Sequence, residues 1–183
     1  MSAILEKTAL RLGNRRVHGR AVNAVAELLR QRLVVPEIYL GPKIAGVKSP
    51  DVLGVDQAGS GDLHAIEVKA MGEFQSRAQL RLLLAELKGL PFHYKYLALP
   101  SYASDLTDPQ LRFAEYPELF DEDGIGRVGI ISFDRRILEA SAVLDKRSVL
   151  LTIPPERFRV RGEKLAAVER FLAKAHPDMS VRV

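Results

Sequence analysis

Two carboxylates and an amine lie close together in the stretch from residue 50 to residue 69, PDVLGVDQAGSGDLHAIEVK. Two apolar runs flank a segment rich in Gly and Ser, a pattern that predicts a β-hairpin. Asp51 and Glu67 are equidistant from Gly59, so in a hairpin symmetric about that glycine they face each other. Lys69 shares the face of Glu67, because side chains two apart in a strand point the same way.

Opposed carboxylates repel each other, so this arrangement calls for a positive charge between them. Mg²⁺ is commonly held by one or two carboxylates, with substrate phosphate oxygens and water completing its shell. An ammonium beside such a site can favour hydroxide or neutralise charge on a phosphorane-like transition state. The spacing therefore predicts metal-dependent hydrolysis of a phosphodiester, with Asp51 and Glu67 holding the metal and Lys69 assisting.

The alternative interpretation is a solvated edge strand on which acidic and basic residues alternate by chance. The rest of the predicted strand argues against it, since Leu63, Ala65, Ile66 and Val68 are apolar on both faces. A charge within such a strand needs a partner, because burying it alone costs several kcal/mol, on the order of 3 to 5.

Pro50-Asp51 followed by Glu67-Val68-Lys69 resembles the motif of the PD-(D/E)XK nuclease superfamily, which includes type II restriction endonucleases and Holliday junction resolvases. The resemblance implies an α/β fold, restriction-endonuclease-like, with an αβββαβ core whose mixed central sheet is flanked by helices. It implies that Asp51 and Glu67 are metal ligands, that Lys69 is catalytic, and that Mg²⁺ or Mn²⁺ is the cofactor. It also suggests Glu27 as a further ligand on the first helix. The alternative for Glu27 is a surface pair with Arg30.

The elements expected around the motif follow that order. Apolar periodicity, a capping box at Ser76 and Pro or Gly stops predict helix, strand, hairpin, helix and strand, over Gly19–Leu33, Glu37–Ile44, residues 50–69, Ser76–Leu87 and Tyr94–Leu99. Extra C-terminal elements are predicted as two strands and a helix, over Arg127–Phe133, Ser148–Ile153 and Glu163–Ala175. Residues 101–126 read as loops with a short helix.

Length and composition favour one domain over residues 1–183, with the core at about 17–100 and an extension at 101–183. The chain has 183 residues, is 47% hydrophobic and contains no cysteine, which excludes disulfides and thiol chemistry. No apolar run reaches membrane-spanning length. The N-terminus lacks the apolar core of a secretory signal, so a cytoplasmic location is expected, with a transit peptide as the alternative.

The net charge of +4 suits a polyanionic partner. The basic residues expected to contact nucleic acid are Arg15, Arg16, Arg20, Lys48 and Arg77. DNA is expected as the partner only because the family acts mostly on DNA, and the sequence leaves RNA open. Cutting both strands of a duplex would require a homodimer or two binding events. The four histidines are scattered without ligand spacing, and by alternation His64 faces away from Glu67.

Two other functions fit the same residues. One is a catalytically silent nucleic-acid-binding module of the same fold. The other is a metal-dependent hydrolase of a small phosphorylated substrate, which would need an enclosed pocket in place of an open basic groove.

Overall fold

The computed structural model describes residues 2–33, 35–56, 61–69, 77–101, 127–134 and 149–175, with the side chains of 2–15, 32, 77–81 and 101 outside that description. The described part contains three helices and six strands. In chain order they are α1 Ser2–Arg32, β1 Glu37–Leu40, β2 Val52–Val55, β3 Leu63–Val68, α2 Arg77–Lys88, β4 Tyr94–Ser101, β5 Gly129–Asp134, β6 Val149–Ile153 and α3 Glu163–Ala175.

The six strands form one mixed sheet in the order β1-β2-β3-β4-β5-β6. β1, β2 and β3 form an antiparallel meander, β3, β4 and β5 run parallel, and β6 returns antiparallel to β5. The parallel step from β3 to β4 is made through α2, as such a crossover requires. The prediction of an α/β fold with a mixed central sheet is therefore confirmed.

The β2–β3 hairpin has the register that symmetry about Gly59 predicts. Val52 pairs with Ile66. One position beyond that pair, Asp51 lies across from Glu67. The register matters because a slip of one residue would turn every side chain of the strand to the opposite face of the sheet.

Helix α1 covers one face of the sheet. Its inward stripe repeats every three or four residues, the spacing of one helical face. The buried residues on this helix are Ala21, Val22, Ala24, Val25, Ala26, Leu28 and Leu29, and they pack against Val52, Ile66, Val68, Tyr96, Ala98, Ile131 and Phe133 of the strands. The hydrophobic effect of this layer holds α1 across the middle of the sheet.

Helices α2 and α3 cover the other face. Leu84 and Leu87 of α2 pack against β4 and β5. Val168 of α3 packs with Leu53 and Ala65 from the hairpin. This face is shared by two shorter helices, and it is also the face to which alternation assigns Glu67.

Several element boundaries differ from the sequence prediction. Strand β1 ends at Leu40, before the expected end at Ile44, and β5 begins at Gly129, two residues after the expected start. Helix α1 begins at Ser2, well before the expected start at Gly19. Strand β4 runs through Pro100 to Ser101, although the proline was expected to end it. The backbone groups of Ala98 and Pro100 point towards β3. Because β3 ends at Val68, which pairs with Ala98, no β3 residue pairs with Pro100. The N–H that proline lacks therefore removes no hydrogen bond from the sheet.

No helix of the described residues is long and apolar enough to cross a membrane.

His64 lies buried on the α1 face, and its ring stacks on Tyr94 with centroids 4.7 Å apart. Its Nδ1 is 3.0 Å from the hydroxyl oxygen of Tyr96. Its Nε2 is buried and has no hydrogen-bond partner among the residues that the structure describes. Burial lowers the pKa of His64 below its ordinary value, and the nearby carboxylates of Asp56 and Asp62 oppose this only in part.

Glycine is required at position 54 by close packing of α1 and its C-terminal loop on β2. A Cβ at Gly54 would lie 2.7 Å from Cγ1 of Val35 and 3.4 Å from Cδ1 of Leu29. We expect Gly54→Ala to lower the free energy of unfolding by about 1–3 kcal/mol, because the added methyl overpacks this contact. Urea denaturation of the two proteins measures the difference.

The control is Gly19→Ala, since a Cβ at Gly19 in the interior of α1 meets nothing within 4 Å. We expect this variant to be more stable by about 0.5–1 kcal/mol, because alanine loses less backbone entropy in a helix. Equal stability changes at the two positions would contradict the packing described here.

Stability should fall in mild acid because of His64. The unfolded imidazole has a pKa of about 6.5 and the folded one a lower pKa, so the folded state binds fewer protons. The contribution of neutral His64 to the free energy of unfolding is therefore complete above about pH 6.5 and declines as the pH falls below that value. His93 adds to the effect, because burial lowers its pKa too. We expect His64→Phe to lose less stability than the wild type between about pH 7.5 and pH 5 in urea titrations, and equal losses would contradict this.

Candidate active site at the end of the β2–β3 hairpin

The carboxylate of Asp51 ends the hydrogen-bond ladder between β2 and β3. Its Oδ2 accepts a 2.7 Å hydrogen bond from the backbone N–H of Val68. Successive N–H groups of a strand point to opposite neighbours, and that of Lys69 donates to the carbonyl of Ala98 in β4 at 2.9 Å. A side-chain carboxylate thus takes the place of a main-chain carbonyl where β2 has not yet begun.

Glu67 and Lys69 form an ion pair beside this bond. Nζ of Lys69 lies 3.0 Å from Oε1 of Glu67, and their side chains are 23% and 10% exposed. A carboxylate buried to this extent is stable only with a partner, which the lysine supplies. The pair is thus held at the C-terminal end of β3, with part of the ammonium reaching solvent.

The three residues of the sequence motif are brought together around one peptide group. Glu67 and Lys69 flank Val68, and Asp51 binds the N–H of Val68. Asp51 is thus next to the chain segment that carries Glu67 and Lys69, and the shared metal site and the catalytic roles of the three side chains stay predictions.

His18 is a member of this cluster that the sequence analysis missed. Its Nε2 is 3.1 Å from Oδ1 of Asp51, and about a third of its side chain is exposed. The available signal was helical spacing, because His18 precedes the buried residues Ala21, Val22 and Val25 by three, four and seven positions. The predicted helix began one residue too late to include it.

Glu27 lies elsewhere, which corrects its predicted place beside Asp51 and Glu67. Its carboxylate is exposed and accepts hydrogen bonds from Arg30 and Gln31 of the same helix. The reason is periodicity: Glu27 follows His18 by two and a half turns of 3.6 residues, so the two point in opposite directions and lie about 13 Å apart along the axis. The surface pair with Arg30 was the alternative that the sequence left open.

Across the described ranges, no group of three or more His, Asp or Glu side chains is placed to hold a metal ion. Asp51 and Glu67 remain as a pair of carboxylates on neighbouring strands. A carboxylate has about four lone-pair positions, and the contacts of Asp51 with Val68 and His18 occupy two of them. Two carboxylates with water and phosphate oxygens fit Mg²⁺ or Mn²⁺, which bind few protein ligands beside a phosphate substrate.

The basic residues expected to bind nucleic acid differ in exposure and in their contacts. Arg16 is exposed on α1, and Arg20, one turn further, is half-buried. The ammonium of Lys48 contacts the carboxylate of Glu86 on α2. This hydrogen bond, with a smaller effect from Lys69, lowers the pKa of Glu86. The side chains of Arg15 and Arg77 lie outside the described residues.

Comparison with known proteins assigns no family. No family model matches the chain, and no curated protein matches it. A protein of unknown function from Silicibacter pomeroyi is similar in structure, with a TM-score of 0.45 and 15% sequence identity over 86% of this chain and 85% of that one. A likeness of that size supports no assignment.

The bond from Val68 to Asp51 should contribute to stability independently of any chemistry at the site. Asp51→Ala leaves the Val68 N–H without its acceptor, so we expect the free energy of unfolding to fall by about 1–3 kcal/mol. Asp51→Asn keeps an oxygen acceptor and should lose less than half as much. Urea denaturation at pH 7.5 measures both, with Glu27→Ala as the exposed-carboxylate control. Equal losses for the Ala and Asn variants would contradict the role of this bond.

Proposed function

We propose that this protein is a metal-dependent nuclease that hydrolyses phosphodiester bonds in DNA, with its active site at Asp51, Glu67 and Lys69. The observation that carries the proposal is that Asp51 binds the N–H of Val68, the residue between Glu67 and Lys69, whose side chains form an ion pair. Two acidic groups and an amine at the ends of two adjacent strands are the groups that phosphodiester hydrolysis needs.

The order of the elements also supports the proposal. Helix, three strands, helix and strand precede the C-terminal additions, and the first three strands form an antiparallel meander. This is the order expected of a restriction-endonuclease-like core, in which the acidic residues and the lysine belong to the second and third strands. Here Asp51 directly precedes β2, and Glu67 lies in β3.

Each side chain has a task that its surroundings favour. Asp51 and Glu67 would hold Mg²⁺ or Mn²⁺, which supplies an activated water and neutralises charge on the phosphate. Asp51 is restrained at both oxygens, so its carboxylate is oriented before any ligand arrives. The ammonium of Lys69, which is paired with Glu67, would donate to a phosphate oxygen as negative charge builds there.

His18 contributes by orienting Asp51. The imidazole holds Oδ1 while the backbone holds Oδ2, so rotation of the carboxylate would break two contacts. Preorganisation of this kind lowers the cost of reaching the reactive geometry. His18 is therefore proposed as a positioning residue.

Cleavage assays on plasmid, linear and branched DNA in Mg²⁺, Mn²⁺ or EDTA test the proposal. We expect cleavage with either metal and none in EDTA. Glu67→Gln and Lys69→Met should each lower the rate by about 10²–10³-fold, because the first weakens the binding of the metal and the second removes a positive charge that stabilises the transition state. Glu27→Gln, which changes an exposed carboxylate on the opposite face of α1, should cleave like the wild type.

His18 provides an internal check. His18→Gln keeps a polar N–H near the position of Nε2, whereas His18→Ala does not, so the first should retain more activity at equal metal saturation. Circular dichroism of every variant separates lost activity from lost folding. Cleavage that persists in Glu67→Gln, Lys69→Met and EDTA, in protein that is folded, would overturn the site.

A further inference from the structure

A second polar site lies on the face covered by α2 and α3. There the end of α2, the start of β4 and the segment before α3 surround a cavity of about 360 Å³. Five of its lining residues are basic and one is acidic: Lys88, Lys95, Arg159, Arg161 and Lys164, and Glu163. A cavity lined by this excess of one charge favours an anion.

Lys95 is the buried member of this set, with 2% of its surface exposed. Its ammonium donates to the carbonyl oxygen of Lys88 at the end of α2 and lies 4.0 Å from the centre of the Phe158 ring. Neither partner carries a negative charge. Burial lowers the pKa of Lys95 to about 8, and no charged group offsets that effect. An anion in the cavity would supply the missing compensation.

Lys95 has hydrogen-bonding capacity for such a ligand. An ammonium has three donors, and the Lys88 carbonyl accepts one of them. Phe158 is held over the start of β4 by a 2.8 Å hydrogen bond from its N–H to the carbonyl of His93. This bond keeps the segment that carries Arg159 and Arg161 beside Lys95.

The N-terminus of α3 completes the lining. Gly162, at a φ of 95°, turns the chain into the helix, and its carbonyl accepts from Leu165 and Ala166. The first N–H groups of a helix have no partner within it and carry partial positive charge. Glu163 currently provides the negative charge at this end, so it competes with any anion that enters.

We infer that this cavity is a binding site for a phosphate dianion, held by Lys95 from below and by Arg159, Arg161 and Lys164 at its rim. Arginine offers two parallel donors to phosphate, which a spherical anion cannot use as fully. The dianion would come from a small phosphorylated molecule or from the 5′-terminal phosphate of a nucleic-acid strand. The chemistry is the same in both cases.

The site is distinct from the one at the end of β3. Lys95 pairs with Ala65, four residues before Lys69 along the strand. At 3.3 Å per residue these backbone positions are about 13 Å apart, and the two ammonium groups have different partners, the Lys88 carbonyl for Lys95 and the Glu67 carboxylate for Lys69. The inference therefore does not rest on the proposed nuclease activity, and loss of one function leaves the other measurable.

Isothermal titration calorimetry with inorganic phosphate at pH 7.5 tests the site in the full-length protein. We expect saturable one-site binding that Arg159→Ala and Arg161→Ala each weaken by about five- to tenfold, the effect of one charge-assisted hydrogen bond. Glu163→Gln should strengthen binding, because it removes the single acidic lining residue. All three positions are exposed, so folding is not at stake.

The matched control is Arg170→Ala, which removes the same charge from the exposed side of α3 outside the cavity and should leave the affinity within twofold. Two further titrations identify the source of the dianion. One uses a nucleoside monophosphate, and the other uses two oligonucleotides of the same sequence, one with a 5′-phosphate and one with a 5′-hydroxyl. If only the 5′-phosphorylated strand binds more tightly than inorganic phosphate, the source is a nucleic-acid end, and if only the monophosphate does, it is a small molecule. Absence of phosphate binding, or equal weakening by Arg159→Ala and Arg170→Ala, would overturn the inference.

Discussion

One hydrogen bond, from the backbone of Val68 to the carboxylate of Asp51, determines how the candidate site is built. It closes the last step of the β2–β3 ladder with a charged acceptor. It also fixes that carboxylate next to Val68, between Glu67 at the end of β3 and Lys69 directly after it. A neutral carbonyl in the same place would end the strand equally well and leave no second carboxylate beside Glu67.

The two faces of the sheet bury different kinds of side chain. The face under α1 is lined by apolar side chains, with His64 and the hydroxyl of Tyr96 as polar groups buried among them. Two buried charged residues, Glu67 and Lys95, lie on the face under α2 and α3.

Much of this arrangement was readable from the sequence, and the reasons are specific. The hairpin register followed from two apolar runs around a turn, because pairing and burial impose the same alignment. The position of Glu27 was left open, since the family resemblance suggested a metal ligand there and the spacing to Arg30 suggested a surface pair. The burial of Lys95 was not readable, because a lysine within YKYLAL reads as solvent-facing until α2 and the chain before α3 are known to cover it. His18 was not predicted as a site residue, because the predicted helix began at Gly19 and did not include the first half of α1.

Arg157 binds both carboxylate oxygens of Asp62, at 3.0 and 2.8 Å, and so joins two positions 95 residues apart in the chain. Asp62 is 5% exposed and sits where β3 begins. A shortened protein that stopped before β6 would lose both hydrogen bonds from Arg157 to this buried carboxylate, although the contact with His93 would remain. The hairpin that carries the motif residues thus reaches its final stability only after the last part of the polypeptide has been made. Proteolytic removal of that part would first destabilise the end of the hairpin at which Asp62 lies.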